Sequence, residues 1–221
     1  MSRAVRILAL LSALALLQGC IEVPRAKHQD LRRSTRTFTP RPEARQCLAQ
    51  LGATHANFTP LPDQYFGAGC TRLNTVRLAS LRSDDAQMAL ANLGPVTCPL
   101  ANTFAAWARF GVDRAAEQIL GSRLVRIETM GSYSCRDVAG TGRRSAHATA
   151  DAIDVSGFVL ADGRRVTVLG GWYDGTPAER AFLRTIHESA CKRFGTTLGP
   201  GYNAAHANHF HVELSGNAFC R

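Results

Sequence analysis

The feature that most constrains the fold is a set of polar residues divided between two distant segments. Residues 145–154 read SAHATADAID and residues 206–214 read HANHFHVEL, and together they hold four of the seven histidines. A domain that uses these residues as one group must bring the two segments side by side. Two imidazoles and one carboxylate can hold a zinc ion and leave one position open for water. We therefore predict a split metal site and, from it, a metallohydrolase.

Strand periodicity predicts how the two segments meet. Alternate residues of a strand share a face, so Asp154 points away from the core-facing Ile153 and Val155. His209 and His211 share a face in the same way. If the two strands pair, Asp154 and His211 come together, and the loop before the first strand can supply His147. These three residues, His147, Asp154 and His211, are the predicted metal ligands.

The donor set leaves the metal and the reaction open at this point. Two histidines and one carboxylate are also typical of non-haem iron oxygenases, which is an alternative reading. Zinc has no redox chemistry and suits hydrolysis outside the cytoplasm, so we expect one zinc ion per chain. The other histidines, His28, His55 and His187, are expected to be structural or exposed.

The N-terminus indicates export. Arg3 and Arg6 precede an apolar run at 7–17, which ends in the sequence LQGC at 17–20. A charged start followed by about 7–15 apolar residues is typical of a secretory signal. The run is shorter than the roughly 20 residues that a membrane-spanning helix needs. The LQGC sequence resembles a bacterial lipobox, which implies a signal peptide at 1–19 and a lipid on Cys20. An ordinary cleaved signal is the alternative.

The segment after Cys20 is interpreted as a tether. Residues 20–44 are rich in Arg, Pro and Thr, which favours an extended linker over a docked arm. Ile21 is not the Asp that would indicate inner-membrane retention, so a periplasmic protein on the outer membrane is favoured. Loss of the two signal-peptide arginines lowers the formal net charge from +9 to +7. A basic exported protein is expected to meet lipid headgroups and cell-wall polymer, and nucleic acid is not an expected partner.

Six cysteines remain after Cys20, and none forms a CxxC pair: Cys47, Cys70, Cys98, Cys135, Cys191 and Cys220. An even number in an oxidising compartment favours three disulfides, each contributing about 2–4 kcal/mol. Six cysteines allow 15 pairings, and the sequence does not choose among them. Pairing along the chain is our working hypothesis: Cys47–Cys70, Cys98–Cys135 and Cys191–Cys220.

The remaining residues, 45–221, are predicted to form one α+β domain with a mainly antiparallel sheet. Helices are predicted at 43–51, at 99–120 with a break near Gly111, and from Thr176, where a capping box begins a helix that ends near Gly195. Strands are predicted at 75–79, 124–128, 152–160, 165–169 and 209–214. The turn at 161–163 joins two of these strands as a hairpin.

The two motif segments resemble the metallopeptidase superfamily that includes lysostaphin-type and D-Ala-D-Ala peptidases. Its pattern, Ser-x-His-x-x-Gly-x-Ala-x-Asp followed by His-x-His, is matched here at 145–154 and 209–211. Within this superfamily, residues 45–221 are most similar to the bacterial extensin-like C-terminal domain family. The supporting segments are SYSCR at 132–136, DVSGFVLADGRRV at 154–166, LGPGYNAAH at 198–206 and HFHVEL at 209–214. The segment HANHFHVEL at 206–214 is also similar to the corresponding segment of penicillin-insensitive murein endopeptidase, where a third His likewise precedes the pair.

The resemblance implies roles for individual residues. His147, Asp154 and His211 would bind zinc, and His209, or secondly His206, would handle the proton of the attacking water. Arg136 would contact a carbonyl or carboxylate of the substrate, and a surface ion pair is the alternative role for it. Glu213 is a less favoured candidate for the base.

The substrate implied by the resemblance and the location is a peptide bond in the stem or cross-link of peptidoglycan. The alternative is a non-catalytic cell-wall-binding or envelope-scaffold lipoprotein that retains the metal site. Two residues depart from the pattern of the relatives. Ala150 replaces a Gly, which predicts a loop conformation that Ala tolerates poorly, and Asn208 replaces an acidic residue.

Overall fold

The structure is a computed structural model that describes residues 41–214 and 218–221. The predicted signal peptide, Cys20 and all of the predicted tether before residue 41 lie outside the described residues. Among the helices of the described ranges, none has both the length and the apolarity needed to cross a bilayer.

The described chain contains four α-helices and twelve strands. The α-helices are α1 (Pro42–Ala53), α2 (Cys98–Trp107), α3 (Val168–Gly171) and α4 (Pro177–Cys191). Two π-helical segments (Ala108–Asp113 and Ala116–Leu120) and two 3-10 helices (Ala146–Thr149 and Ala204–His206) complete the helical elements described. The strands are β1 (Asn57–Pro60), β2 (Gln64–Gly67), β3 (Cys70–Arg72), β4 (Thr75–Arg82), β5 (Gln87–Ala91), β6 (Pro95–Thr97), β7 (Leu124–Gly131), β8 (Ala152–Leu160), β9 (Arg165–Thr167), β10 (Thr196–Leu198), β11 (Phe210–Glu213) and β12 (Phe219–Cys220).

Ten of the strands in the described ranges form one sheet, whose main path is β1-β4-β5-β7-β8-β11-β10-β12. Strand β6 also pairs with β4, β9 pairs with β8, and β2 and β3 form a separate hairpin. The predicted α+β class is confirmed, but the sheet is mixed and the prediction of a mainly antiparallel sheet is wrong. Strands β5 and β7 pair in parallel, as do β10 and β12. The connection from β5 to β7 carries α2 and the π-helical segments, and a long crossover of this kind allows parallel pairing.

The start of α4 follows from its sequence. The side chain of Thr176 accepts a hydrogen bond from the Glu179 backbone (3.2 Å), and the Glu179 carboxylate accepts one from the Thr176 backbone (2.7 Å). This is the predicted capping box. The helix ends at Cys191 and not near Gly195. The backbone N–H of Gly195 instead donates to Glu213 (3.0 Å), which draws the chain toward β11.

The helical segment that follows β6 changes its hydrogen bonding where a break was predicted. Regular α-helix ends at Trp107, and the π-helical residues that follow include Gly111. A Cβ atom on Gly111 would lie 2.5 Å from the Ser189 hydroxyl and 2.9 Å from the Trp107 ring. The glycine therefore allows this segment to approach α4. Trp107 is fully buried and donates from Nε1 to the carbonyl of Ile186 (3.0 Å).

The predicted strands are present with changed ends. The strands expected at 75–79 and 124–128 extend to Arg82 and Gly131. The strand expected at 165–169 ends at Thr167, because its hydroxyl accepts from the backbone of Gly170 (3.1 Å) and caps α3. The strand expected at 209–214 is β11, which spans Phe210–Glu213. It is not the last strand, because β12 follows it.

Three disulfides are formed, Cys47–Cys98, Cys70–Cys135 and Cys191–Cys220. Only the last of the predicted pairs is correct, and Cys47–Cys70 and Cys98–Cys135 are wrong. Helix α1 packs on the start of α2, where the Asn102 amide donates to the Cys47 carbonyl (3.2 Å). This packing brings Cys47 next to Cys98, and the hairpin of β2 and β3 is joined instead to the segment before the 3-10 helix at Ala146–Thr149.

The core lies on one face of the central strands. Ile153 and Val155 of β8 and Phe210 and Val212 of β11 are completely buried in it. The residues between them therefore point to the other face of the sheet. That face carries the polar side chains of Asp154 and His211.

Candidate metal centre

Asp154 and His211 are direct partners in the antiparallel register of β8 and β11. His211 Nδ1 lies 2.9 Å from Asp154 Oδ1. His147, from the 3-10 helix that precedes β8, reaches the same point: its Nε2 lies 3.2 Å from Asp154 Oδ2 and 3.2 Å from His211 Nδ1. The structure thus brings the three predicted ligands together in the way that strand periodicity predicts.

The spacing of these donor atoms fits a metal ion. Tetrahedral zinc with ligands at 2.0–2.2 Å separates neighbouring donor atoms by about 3.3 Å. The two imidazole nitrogens here are 3.2 Å apart, and each lies 2.9 or 3.2 Å from a different oxygen of Asp154, so these separations are close to that value. The side chains are also buried, with 2%, 9% and 8% of His147, Asp154 and His211 exposed. A cluster of this composition can bind a divalent metal and leave a coordination position open.

Each histidine of the cluster has a partner that orients its ring. His147 Nδ1 lies 2.5 Å from the carbonyl of Ser132, so this nitrogen donates and Nε2 faces Asp154. The carbonyl of His147 accepts from the Ser134 backbone (3.0 Å), and the Ser145 hydroxyl accepts from the His147 backbone (3.4 Å). Partners of this kind fix the tautomer of a metal-binding histidine.

Glu213 performs the same task for His211. Its Oε2 lies 3.0 Å from His211 Nε2, which therefore donates to it and leaves Nδ1 for the metal side. The sequence suggested Glu213 only as a candidate base. Its position two residues after His211 on the same strand face was a signal for this contact.

Asp154 and His211 have strongly shifted pKa values. Burial opposes ionisation of Asp154, but hydrogen bonds from His147 and His211 outweigh it and hold the pKa of this carboxyl far below its usual range. Burial lowers the pKa of His211, but the carboxylates of Asp154 and Glu213 raise it to about 9. The imidazole nitrogens must be free of protons to bind a metal, so metal binding would release a proton here.

His209 and His206 lie beside the ligand cluster. His209 Nε2 is 3.5 Å from Asp154 Oδ1, and its Nδ1 donates to the side-chain oxygen of Asn208 (2.8 Å). His206 Nδ1 donates in the same way to Asn203 (2.7 Å). Both rings therefore have Nε2 as the proton-accepting nitrogen. Burial is the main cause that lowers the pKa of His209, and burial followed by the charges of His209 and His211 lowers that of His206 to about 4.

Arg136 is exposed and lies near these two histidines. Its positive charge contributes to the lowered pKa of both His206 and His209. Its carbonyl accepts from the Ser145 backbone (3.2 Å), which ties it to the loop that carries His147. All six predicted site residues therefore belong to one region of the fold.

Ala150 and Asn208, the two departures from the relatives' pattern, both have structural consequences. Ala150 has φ 58° and ψ 26°, a left-handed conformation that favours Gly, and it is completely buried. Its carbonyl accepts from the Thr97 backbone (2.9 Å) and from the Ser132 hydroxyl (3.4 Å). These bonds hold the residue in this conformation. Asn208 orients His209.

A second group of candidate donors, His187, Cys191 and Cys220, also lies close together. The two cysteines form a disulfide, so they offer no thiolate. His187 is buried against the rings of Trp172 and Phe210. Burial lowers its pKa, so the ring is neutral and structural.

No curated protein and no solved structure matches this chain. The family comparison gives a different result, because one family model covers the whole of the region that carries the site, from residue 45 to residue 221. On this evidence, the chain belongs to the family described as extensin-like protein C-terminus.

Proposed function

We propose that this protein is a zinc-dependent peptidase that hydrolyses stem or cross-link peptide bonds of peptidoglycan in the cell envelope. The observation that carries the proposal is the geometry of His147, Asp154 and His211. One donor atom from each residue lies within 4.8 Å of the other two, the two imidazole nitrogens are 3.2 Å apart, and each ring nitrogen on the far side of a ligand histidine has an acceptor. Their order in the sequence also matches the pattern of the lysostaphin and D-Ala-D-Ala peptidase superfamily, which supports a peptide substrate.

Zinc, when bound, would polarise a carbonyl and lower the pKa of water to about 7. His147, Asp154 and His211 would hold it. The residues around them supply the remaining functions. His209 and His206, which lie outside the ligand set, can accept the proton of the attacking water, and Arg136 can bind the substrate.

His209 is placed to accept the proton of the attacking water. Its Nδ1 is held by Asn208, so the lone pair of Nε2 points toward the cluster, 3.5 Å from Asp154. A general base must lie within hydrogen-bond reach of the proton that it accepts. His206 has the same orientation, fixed by Asn203, and is the second candidate.

Arg136 is the residue that would position the substrate. Its guanidinium is near both His206 and His209, and it lies on the exposed side of the site. Stem peptides of the cell wall carry carboxylates and carbonyls, which a guanidinium binds through paired hydrogen bonds. The same charge would stabilise an oxyanion that develops on the scissile carbonyl.

The proposed location is the periplasm, with a lipid on Cys20 that anchors the protein to a membrane. The signal-like sequence at 1–19 and the lipobox-like residues at 17–20 support this part of the proposal. The three disulfides are consistent with an oxidising compartment.

Digestion of purified peptidoglycan by the zinc-loaded, oxidised protein tests the proposal. Products are separated by chromatography and identified by mass spectrometry, with and without a chelator. We expect chelator-sensitive loss of cross-linked or stem-peptide fragments, whose masses name the bond. His209→Gln is the matched variant, because it should keep the metal and lose turnover.

An unchanged fragment profile from folded, zinc-loaded protein would contradict a peptidase. In that case, sedimentation of the protein with insoluble peptidoglycan tests the alternative of a wall-binding module. Such a module should bind equally well with His209→Gln and should release no fragments.

A further inference from the structure

The sheet has a break beside the metal centre. Strand β7 lies along one edge of β8, and both β9 and β11 lie along the other edge. Strand β9 ends where Thr167 pairs with Gly157, and β11 begins where Phe210 pairs with Val155. Ser156 lies between these pairs and has no partner in either register. The two collinear strands therefore leave a gap at this position.

A groove of about 260 Å³ lies at this gap. Its lining residues are Met130, Ser156, Arg165, Thr167, Leu169 and Asn208. Met130 and Leu169 supply the large apolar side chains, which are 50% and 64% exposed. Complete small-molecule sites occupy about 300–1,000 Å³, so this groove suits a residue-sized group.

The groove lies beside the proposed catalytic site. Asn208 lines it and also holds His209 through the 2.8 Å hydrogen bond. Ser156 follows Asp154 by two residues on β8, and Met130 precedes Gly131, whose register partner is Asp154. A group in the groove would therefore lie next to a bond held at the metal centre.

The charges in the groove are balanced. Arg165 is the cationic lining residue, and its guanidinium binds the Glu128 carboxylate at 2.6 and 2.7 Å. The Ser156 hydroxyl donates to the Glu128 carbonyl (3.3 Å). The other lining groups are the apolar side chains of Met130 and Leu169, the hydroxyls of Ser156 and Thr167, and the amide of Asn208. A surface of this kind disfavours a charged group and accepts a small apolar one.

We propose that this groove binds one residue of the substrate peptide next to the scissile bond, and that it selects an uncharged side chain. The proposal rests on the peptidase function and adds a specificity site to it. Met130 and Leu169 hold the side chain of the substrate between them. The thioether of Met130 is flexible and adapts its packing to the occupant. The hydroxyl and amide groups below contact the peptide backbone.

Binding can be measured without turnover, because the chain has three methionines, Met1, Met88 and Met130. Met88 is completely buried and Met130 is half exposed at the groove. We would label the methionine methyl groups with 13C in the full-length, zinc-loaded protein and titrate with N-acetyl-D-alanyl-D-alanine. The expected result is a saturable shift of the Met130 signal with Met88 unchanged. A Met130 signal that does not move up to the solubility limit of the peptide would overturn the proposal.

A variant pair gives an independent test. Leu169→Glu adds a carboxylate to the groove, and Phe110→Glu makes the same change at a residue of similar exposure (45%) in the Ala108–Asp113 segment. With an alanine-containing substrate, Leu169→Glu should lower kcat/KM at least about tenfold, mainly through KM, and Phe110→Glu should not. Lysine in place of that alanine should recover part of the loss. Equal behaviour of the two variants would overturn the proposal.

The two measurements separate this inference from the peptidase function. A Met130 shift without hydrolysis would support the groove and contradict the peptidase. Hydrolysis with a silent Met130 signal and a neutral Leu169→Glu would support the peptidase and overturn the groove.

Discussion

The carboxylate of Glu213 lies 3.0 Å from Nε2 of His211, whereas the other ring nitrogen of this histidine, Nδ1, faces Asp154. Glu213 is thus a positioning residue for His211, the proposed metal ligand. Carboxylate–histidine pairs of this kind fix the tautomer and increase the basicity of the ligand.

Replacing this carboxylate should weaken metal binding. We expect Glu213→Gln to lower zinc affinity about 10–100-fold, as measured by competition with a chromophoric chelator. Glu188→Gln, at an exposed residue of α4, is the control and should leave affinity unchanged. Equal affinities for both variants would show that Glu213 does not support the ligand.

Substitution of a proposed metal ligand should lower the zinc content, whereas substitution of the proposed general base should lower turnover alone. Asp154→Asn should lose bound zinc, because it removes the carboxylate whose two oxygens contact His147 and His211. His209→Gln should keep zinc and lower turnover by about 10²–10⁴-fold, the usual contribution of a general base. Metal content by mass spectrometry and peptidoglycan digestion are the two readouts. Loss of zinc from His209→Gln would instead place this residue among the ligands.

Two disulfides of similar span should differ in their effect on the site. Cys70–Cys135 and Cys47–Cys98 bridge 65 and 51 residues, and loss of either by double Ser substitution should cost about 4 kcal/mol of stability. Cys70–Cys135 is tied to His147 itself, because the Ser134 backbone beside Cys135 donates to the His147 carbonyl, whereas Cys47–Cys98 reaches this segment at Ala150 through Thr97. Only the loss of Cys70–Cys135 should also lower zinc affinity under conditions where the protein stays folded. Urea denaturation and chelator competition measure the two effects, and a matched loss of affinity in both variants would contradict the assignment.

Asp113 should give the free energy of unfolding a pH dependence. Its carboxylate is buried and accepts from the Leu124 backbone (2.7 Å), and burial raises its pKa above the usual value. The folded protein then binds this proton more readily than the unfolded chain, where the pKa is about 3.9. Stability from this group is therefore present at low pH and is lost as pH rises through the folded pKa.

Asp113→Asn keeps an oxygen that can accept from Leu124 and removes the buried charge. We expect the variant to be more stable than the parent at pH 7 and to have a flatter stability profile between pH 4 and pH 7. Urea denaturation at several pH values measures this. Asp174→Asn, at an exposed residue, is the control. Parallel profiles for Asp113→Asn and the parent would show that this carboxyl does not titrate in the expected range.

The parts of the fold that depend on local patterns could be predicted. The alternation of Asp154 and His211 with core residues predicted their meeting, because side-chain direction in a strand follows from residue spacing alone. The capping box at Thr176 and the change near Gly111 are local in the same sense.

The parts that depend on packing could not be predicted. The partner of Cys47 depends on how α1 lies on α2, which no spacing of cysteines encodes. The parallel pairing of β5 with β7 depends on the path of a long connection. The carbonyl of Ser132, which orients His147, is a backbone atom that every residue type has. The gap at Ser156 appears only when two distant strands are placed on the same edge.

In the proposed envelope peptidase, the Cys70–Cys135 bridge would give the site a maturation step. A newly made chain with reduced cysteines lacks this covalent link beside Ser132 and Ser134, the two residues that hold His147. Reducing conditions in the cytosol keep cysteines as free thiols, and oxidising conditions in the envelope allow disulfides to form. Completion of the metal centre would then follow oxidation, so that a hydrolase directed at the wall would become competent only where the wall is.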